Sequence, residues 1–150
     1  MTYHYTECGL DNVLLEGVDP VQDDAGEAVF TIAKVNRLHA AIARAVIRKP
    51  YALTGKELRF LRAEMEMTQA ELAVLLGREP LAISRWERGE NPIDPAADTL
   101  VRLLAQELLA IEAGVTVREA SGWHVASTFS APYRIDASNP DDYRPMDQAA

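Results

Sequence analysis

TQAELAVLLGREPLAISRWERG, residues 68–89, sets two short helical patterns on either side of one glycine. Thr68 and Glu71 fit a capping box, in which the hydroxyl accepts from the amide three residues on and the carboxylate reaches back to the cap amide. Leu72, Ala73 and Leu76 then fall on one face. Gly77 can take the left-handed conformation that stops a helix after barely two turns. Pro80 suits a first helical position, because the N–H it lacks has no intrahelical partner there. The second helix runs to Arg88 and stops at Gly89. Helix, a turn of about four residues, helix is the spacing of a helix-turn-helix, which makes two short helices cross at a wide angle. With Ile83 and Trp86 turned inward, the second helix presents Leu81, Ser84, Arg85 and Arg88 outward, and Glu79, Pro80 and Ala82 lie near its exposed start.

Working outward, TGKE at residues 54–57 is a second capping box and predicts a helix from about residue 55 that turns Leu58, Leu61 and Met65 inward. Downstream, Asp94 can cap and Pro95 can begin a further helix, with Leu100, Leu103, Leu104, Leu108 and Ile111 as its apolar face. Upstream, Leu38, Ala41, Ile42, Ala45 and Val46 share one face of a helix over 36–49, capped by Asn36 and ended by Pro50. The first 35 residues read as short strands broken by turns: YHYTEC, NVLLEGV, a loop DPVQDDAG and the β-rich EAVFTIAKV. Beyond Gly114, VTVRE and GWHVASTF read as extended, and APYRIDASNPDDYRPMDQAA has the composition of a poorly ordered tail. The expected architecture is mostly α with a small β portion (α+β): a helix-turn-helix bundle preceded by a short N-terminal β module. Its parts are an N-terminal module at 1–50, a helix-turn-helix domain at 51–111 and a C-terminal extension at 112–150.

The chain has 150 residues, 48% of them hydrophobic, enough for one fold unit with appendages. No apolar run approaches the roughly 20 residues that cross a bilayer, and the N-terminus lacks the basic start and apolar centre of a signal peptide, so a cytoplasmic protein without membrane contact is expected. The one cysteine, Cys8, precludes an internal disulfide and a thiolate zinc site. A formal charge of −8 argues against indiscriminate nucleic-acid binding. Acid is concentrated at the ends. Residues 1–35 hold seven acids and one base, residues 36–50 four bases and no acid, residues 51–102 seven bases and nine acids, and the remainder three bases and seven acids.

A helix displayed as 80–88 fits the DNA major groove, where its first residues can meet base edges while the preceding helix lies across the backbone. Arg85 is the strongest candidate for base reading, since its guanidinium fork can donate twice to guanine O6 and N7; a phosphate contact is the plainer alternative. Leu81 and Ala82 suit a thymine methyl or a partner subunit equally. Glu79 would meet phosphate repulsion unless it accepts from a cytosine amino group, and the helix macrodipole already accounts for a carboxylate there. Gln69 is placed to donate to a phosphate beside the backbone amides. Arg78, Arg88 and Lys56 are weaker phosphate candidates. Trp86 belongs to the core.

The stretch LRFLRAEMEMTQAELAVLLGREPLAISRWERG resembles the Cro/phage-repressor (Xre-type) helix-turn-helix in its first-helix Arg, its T-Q-x-E-L-A start, its turn Gly and its final I-x-x-W-E-x-G. The resemblance covers about residues 54–111. It implies that Arg62 and Glu87 form a structural ion pair, that Gln69 contacts backbone and base, and that Pro80, Leu81 and Arg85 occupy base-reading positions. YHYTECGLDNVLLEGV with RLHAAIARAVIRKPYALTGKELRFLR is similar to the MqsA-type antitoxin family and its stand-alone regulator relatives. In MqsA itself the N-terminal module binds zinc through paired cysteines; this chain departs from that pattern in having only Cys8, so the resemblance implies neither the zinc nor toxin binding.

Catalysis has little support: His4, His39 and His124 are far apart, no metal-ligand spacing occurs, Cys8 has no sequence-local activating partner, and there is no phosphate-cradling glycine loop. No cofactor and no metal are expected. The expected function is a sequence-specific transcriptional repressor that binds a palindromic double-stranded DNA operator as a homodimer. Either the helix beginning at Pro95 or the N-terminal sheet would join the two subunits. The alternative is an antitoxin-like interaction module that neutralises a toxin protein, with DNA binding secondary.

Overall fold

A computed structural model describes residues 1–127 and 131–146, which fold as two compact units, residues 1–42 with 131–146 and residues 43–127. The architecture is α+β, with six helices and two small sheets among the described residues.

The first unit is built on a four-stranded sheet in the order β1 (Thr2–Tyr5), β2 (Val13–Glu16), β5 (Tyr133–Asp136), β6 (Arg144–Pro145). β1 pairs antiparallel with β2, setting Tyr5 opposite Val13. β2 pairs in parallel with β5, setting Val13 beside Tyr133 and Leu15 beside Ile135. Because side chains alternate along a strand, this register puts Tyr5, Val13, Leu15, Tyr133 and Ile135 on one buried face. The other face is polar, and there Arg134 donates to Glu16 at 2.7 Å across the parallel pair. The Tyr5 hydroxyl meets His39 Nε2 at 2.7 Å, on the helix α1 (Val35–Ile47), whose Leu38, Ala41 and Ile42 are also buried. A separate hairpin joins β3 (Val21–Gln22) to β4 (Ala28–Val29), and its turn is held by Asp23 Oδ1 accepting from the Ala25 and Glu27 amides.

Two local expectations change here. The segment after Ala131 was read as a tail; instead its β5 is the second inner strand of the sheet, because Tyr133 and Ile135 supply apolar side chains that β2 pairs with only in the folded chain. Residues 128–129, read as extended, and 147–150, read as tail end, lie outside the described residues. The helix α1 begins at Val35, so Asn36 sits within its first turn and does not cap it.

The second unit holds the end of α1, then α2 (Gly55–Glu64), α3 (Gln69–Leu76), α4 (Pro80–Glu87), α5 (Pro95–Leu108) and the short α6 (Val117–Ala120). Both capping boxes form: Thr54 with Glu57 and Thr68 with Glu71 each exchange the two reciprocal bonds. Gly77 ends α3 at φ 64°, and Asp94 caps α5 by accepting from the Ala97 amide at 3.1 Å. Leu58, Phe60 and Leu61 of α2, Leu72, Ala73 and Leu76 of α3, and Ile83 and Trp86 of α4 make the core, while Met65 is half-buried at the end of α2. VTVRE, expected as extended, contains α6, whose first turn is capped by Thr116 accepting from Glu119. Residues 112–127 fall in the second unit and 131–146 in the first.

The apolar face of α5 is not its buried face: Leu100 is 42% and Leu108 50% exposed, and Leu103, Leu104 and Ile111 are only partly covered. The helix instead buries Ala97, Asp98, Val101, Arg102 and Ala105. Alanines allow close helix approach, and the ion pair serves a backbone need. Arg102, wholly buried, donates to Asp98 Oδ1 at 2.6 Å, to the Ile47 carbonyl at 3.1 Å, and to the carbonyls of Lys49 and Tyr51; Asp98 Oδ2 accepts from the Leu53 amide at 2.8 Å. The connector between α1 and α2 has no helix or strand to satisfy these groups, and α5 supplies both donor and acceptor. The Trp123 ring stacks over the Arg102 guanidinium, 5.2 Å from its centroid, and Lys49 adds an ion pair to Glu57 at 2.7 Å. No helix of the described residues is long and apolar enough to cross a membrane.

Candidate nucleic-acid interface

The geometry of α3 and α4 is set by three connections. Arg62, on α2, donates through Nε and Nη2 to the two oxygens of Glu87 at 2.6 and 2.9 Å, and through Nη1 to the Met67 carbonyl at 2.9 Å. The fork joins α2 to the last residue of α4 and holds the loop before α3. Glu87 is the larger influence on Arg62, and its hydrogen bond raises the guanidinium pKa above the ordinary value. Gln69, the first residue of α3, donates its side-chain amide to Glu87 Oε1 at 3.1 Å, so all three helices meet at one carboxylate. The second connection is the close approach of α2 to α4. A Cβ on Gly55 would collide with the carbonyl oxygens of Trp86 and Glu87. The third is apolar: Ile83 and Trp86 turn inward from α4, one wholly buried and the other 8% exposed.

What α4 leaves outside follows from that anchoring. Pro80, Leu81 and Arg85 are exposed, Ala82 and Ser84 are partly covered, and Arg88 is exposed at the C-cap. Leu81, 53% exposed, has the apolar surface that a thymine methyl or another protein would use. Glu79 occupies the N-cap position with an extended backbone, and its side chain makes no capping bond. The first turn of α4 therefore presents backbone amides with no side-chain acceptor from the cap residue.

The three arginines differ. Arg78, in the turn, donates to Asp94 at 2.8 Å; Arg88 pairs with Glu90 at 2.9 Å and donates to the Ser84 carbonyl. Arg85 is in no ion pair with a described residue. The Ala97 amide, and after it the Arg78 guanidinium, hold the Asp94 carboxyl below its ordinary range. Gln69 is the residue whose setting differs most from its expected use, because one amide hydrogen is already engaged within the protein. Its other hydrogen is the one left for a phosphate.

Sequence reasoning missed Asp98, Arg102 and Lys49, and with Lys49 its ion pair to the capping-box residue Glu57; these groups hold the scaffold behind these helices. The Asp98 to Arg102 spacing of four on one helix was the available signal, but such pairs are ordinarily surface features. Among the described residues, no cluster of three or more His, Cys, Asp or Glu is arranged to hold a metal ion.

A family model described as helix-turn-helix matches residues 58–106, from the middle of α2 to near the end of α5. This segment is a DNA-binding helix-turn-helix of the Xre/Cro type, a domain of transcription regulators. Comparison with curated proteins and with solved structures returned no match.

Proposed function

With a DNA-binding helix-turn-helix as the premise, we propose that this protein is a sequence-specific transcriptional repressor that inserts α4 into the major groove, with Arg85 as the base-reading residue. One observation carries the reading: within the segment matched by the family, α4 turns Ile83 and Trp86 inward and leaves Arg85 exposed and unpaired with any described residue. A guanidinium so placed is available to donate twice to guanine. Leu81, Ala82 and Ser84 line the same side, Pro80 and Glu79 sit at the entering end, and Gln69, Arg78 and Arg88 flank it as backbone contacts.

The protein acts as a homodimer on a palindrome whose half-sites lie about one turn, roughly 34 Å, apart. A single helix of eight residues touches too few bases to select a site alone, and the acidic chain gains little from bulk attraction. Of the two surfaces considered for dimerisation, the outward leucines of α5 are the apolar one, while the outer sheet face carries Glu16 and Arg134.

Fluorescence anisotropy with DNA from upstream of its own gene, against a random competitor duplex, tests the reading. The expected result is wild-type binding that survives the competitor and falls by about 1 to 3 kcal/mol in Arg85→Ala. Equal affinity for both duplexes refutes repression through that operator. The acidic surface of the β3–β4 hairpin, with Asp19, Asp23, Asp24 and Glu27 exposed around it, favours a second reading, neutralisation of a basic toxin protein. A small basic open reading frame beside the gene, whose product co-purifies with this chain, is what that reading requires.

A further inference from the structure

The cations at the two ends of α4 are held by carboxylates of the chain itself. In the α3–α4 turn, Arg78 and Asp94 are paired at 2.8 Å with side chains 40% and 38% exposed; at the C-cap, Arg88 and Glu90 are paired at 2.9 Å with side chains 53% and 49% exposed. Arg85, between them, has no such partner among the described residues. A carboxylate offers an arginine the same charge and the same pair of oxygen acceptors as a backbone phosphate. A phosphate approaching either end of α4 must therefore displace a carboxylate before it gains a contact, and the displaced carboxylate stays close enough to repel it.

We propose that Glu90 and Asp94 are internal phosphate competitors, positioning residues that occupy Arg88 and Arg78 in the free protein and weaken the binding of every DNA backbone. The proposal rests on the reading of α4 as the DNA-contacting helix. It adds a physical reason why an acidic repressor with three arginines around its recognition helix avoids random DNA. Phosphate contacts carry no sequence information, so the competition lowers all affinities by the same factor. Random sites then fall below useful occupancy, while an operator that also engages Arg85 stays bound.

The test uses the full chain and a labelled random-sequence duplex, with anisotropy read at low and at moderate salt. Glu90→Gln is expected to bind about 2- to 5-fold more tightly than wild type at low salt, the range set by what exposed ion pairs contribute. The gain shrinks as salt rises, because exposed pairs are screened. It vanishes in the Arg88→Ala background, since Glu90 acts through Arg88. Glu107→Gln, which removes one exposed charge from α5 without releasing an arginine, gives a smaller gain. Asp94→Asn repeats the test at the other end, because asparagine caps a helix as well as aspartate does. A gain that persists in the Arg88→Ala background, that equals the Glu107→Gln gain, or that is absent overturns the proposal while leaving DNA binding intact. If wild type and every variant fail to bind any duplex, the DNA reading falls and this proposal falls with it.

Discussion

Arg102→Met is the substitution that most severely tests how the second unit is held together. Methionine keeps much of the side-chain volume and its flexibility, so the change removes charge and donors more than packing. Asp98 then keeps a buried carboxylate whose one remaining described donor is the Leu53 amide, and the carbonyls of Ile47, Lys49 and Tyr51 lose their common partner. Breaking a buried ion pair from one side costs about 3 to 5 kcal/mol. The carbonyls belong to a connector that can open to water, so they add less than the roughly 1 to 3 kcal/mol each that a permanently buried orphan would. A loss near 4 kcal/mol, about a third to a half of a typical domain's stability, is expected. Urea denaturation followed by far-UV circular dichroism reads helix content without relying on Trp123, whose ring contacts Arg102. With a slope of about 2 kcal/mol per molar, the midpoint should fall by roughly 2 M. Asp98→Leu/Arg102→Met should recover part of the loss, because no unpaired carboxylate is left inside. A midpoint for Arg102→Met within about 0.3 M of wild type would refute the argument that this network anchors the connector.

Gly55→Ala should cost about 1 to 3 kcal/mol in the same denaturation experiment, because the new methyl meets carbonyl oxygens of Trp86 and Glu87 and α2 must move away from α4. Arg62→Met should destabilise by about 3 kcal/mol and also weaken DNA binding, since Glu87 loses its main partner and the carboxylate that accepts from Gln69 is no longer held in place; heteronuclear NMR of the Gln69 side-chain amide would register the second effect. Asp94 has a folded-state pKa below its ordinary 3.8, so its contribution to stability is fully present above that value and is lost as pH falls through the lower folded-state pKa. The thermal midpoint of wild type should therefore drop relative to Asp94→Asn only below about pH 4, and a constant difference down to pH 2 would contradict the assignment.

The helix-turn-helix was legible because its signals are local. Capping boxes at Thr54 and Thr68, the glycine at 77 and the proline at 80 each act within a few residues, and the structure places a helix boundary at every one of them. The outward set on α4 followed from Ile83 and Trp86 alone, since fixing two inward positions on a helix orients the others. Gln69 could be placed at a helix start but not matched to Glu87, because the partner lies on another helix and nothing in the intervening residues points to it.

Periodicity gave the apolar face of α5 but not its buried one, for a definite reason. It ranks faces by hydrophobicity, and by that measure the leucines win; the folded helix buries alanines and an Asp–Arg pair because the neighbouring connector has carbonyls and an amide that must be satisfied away from water. The misread segment after Ala131 has a related cause. Four residues of β5 carry too little pattern to outweigh the prolines and aspartates around them, and only pairing with β2 makes them a strand. Residue order alone thus specified the elements whose stabilising partners lie within a turn or two: the helix ends, the tight α3–α4 turn and the exposed face of α4. Which face of α5 turns inward, where β5 belongs and which carboxylate each arginine meets depended on groups brought together only by folding, since each choice is decided by satisfying a distant partner's hydrogen bonds or apolar surface.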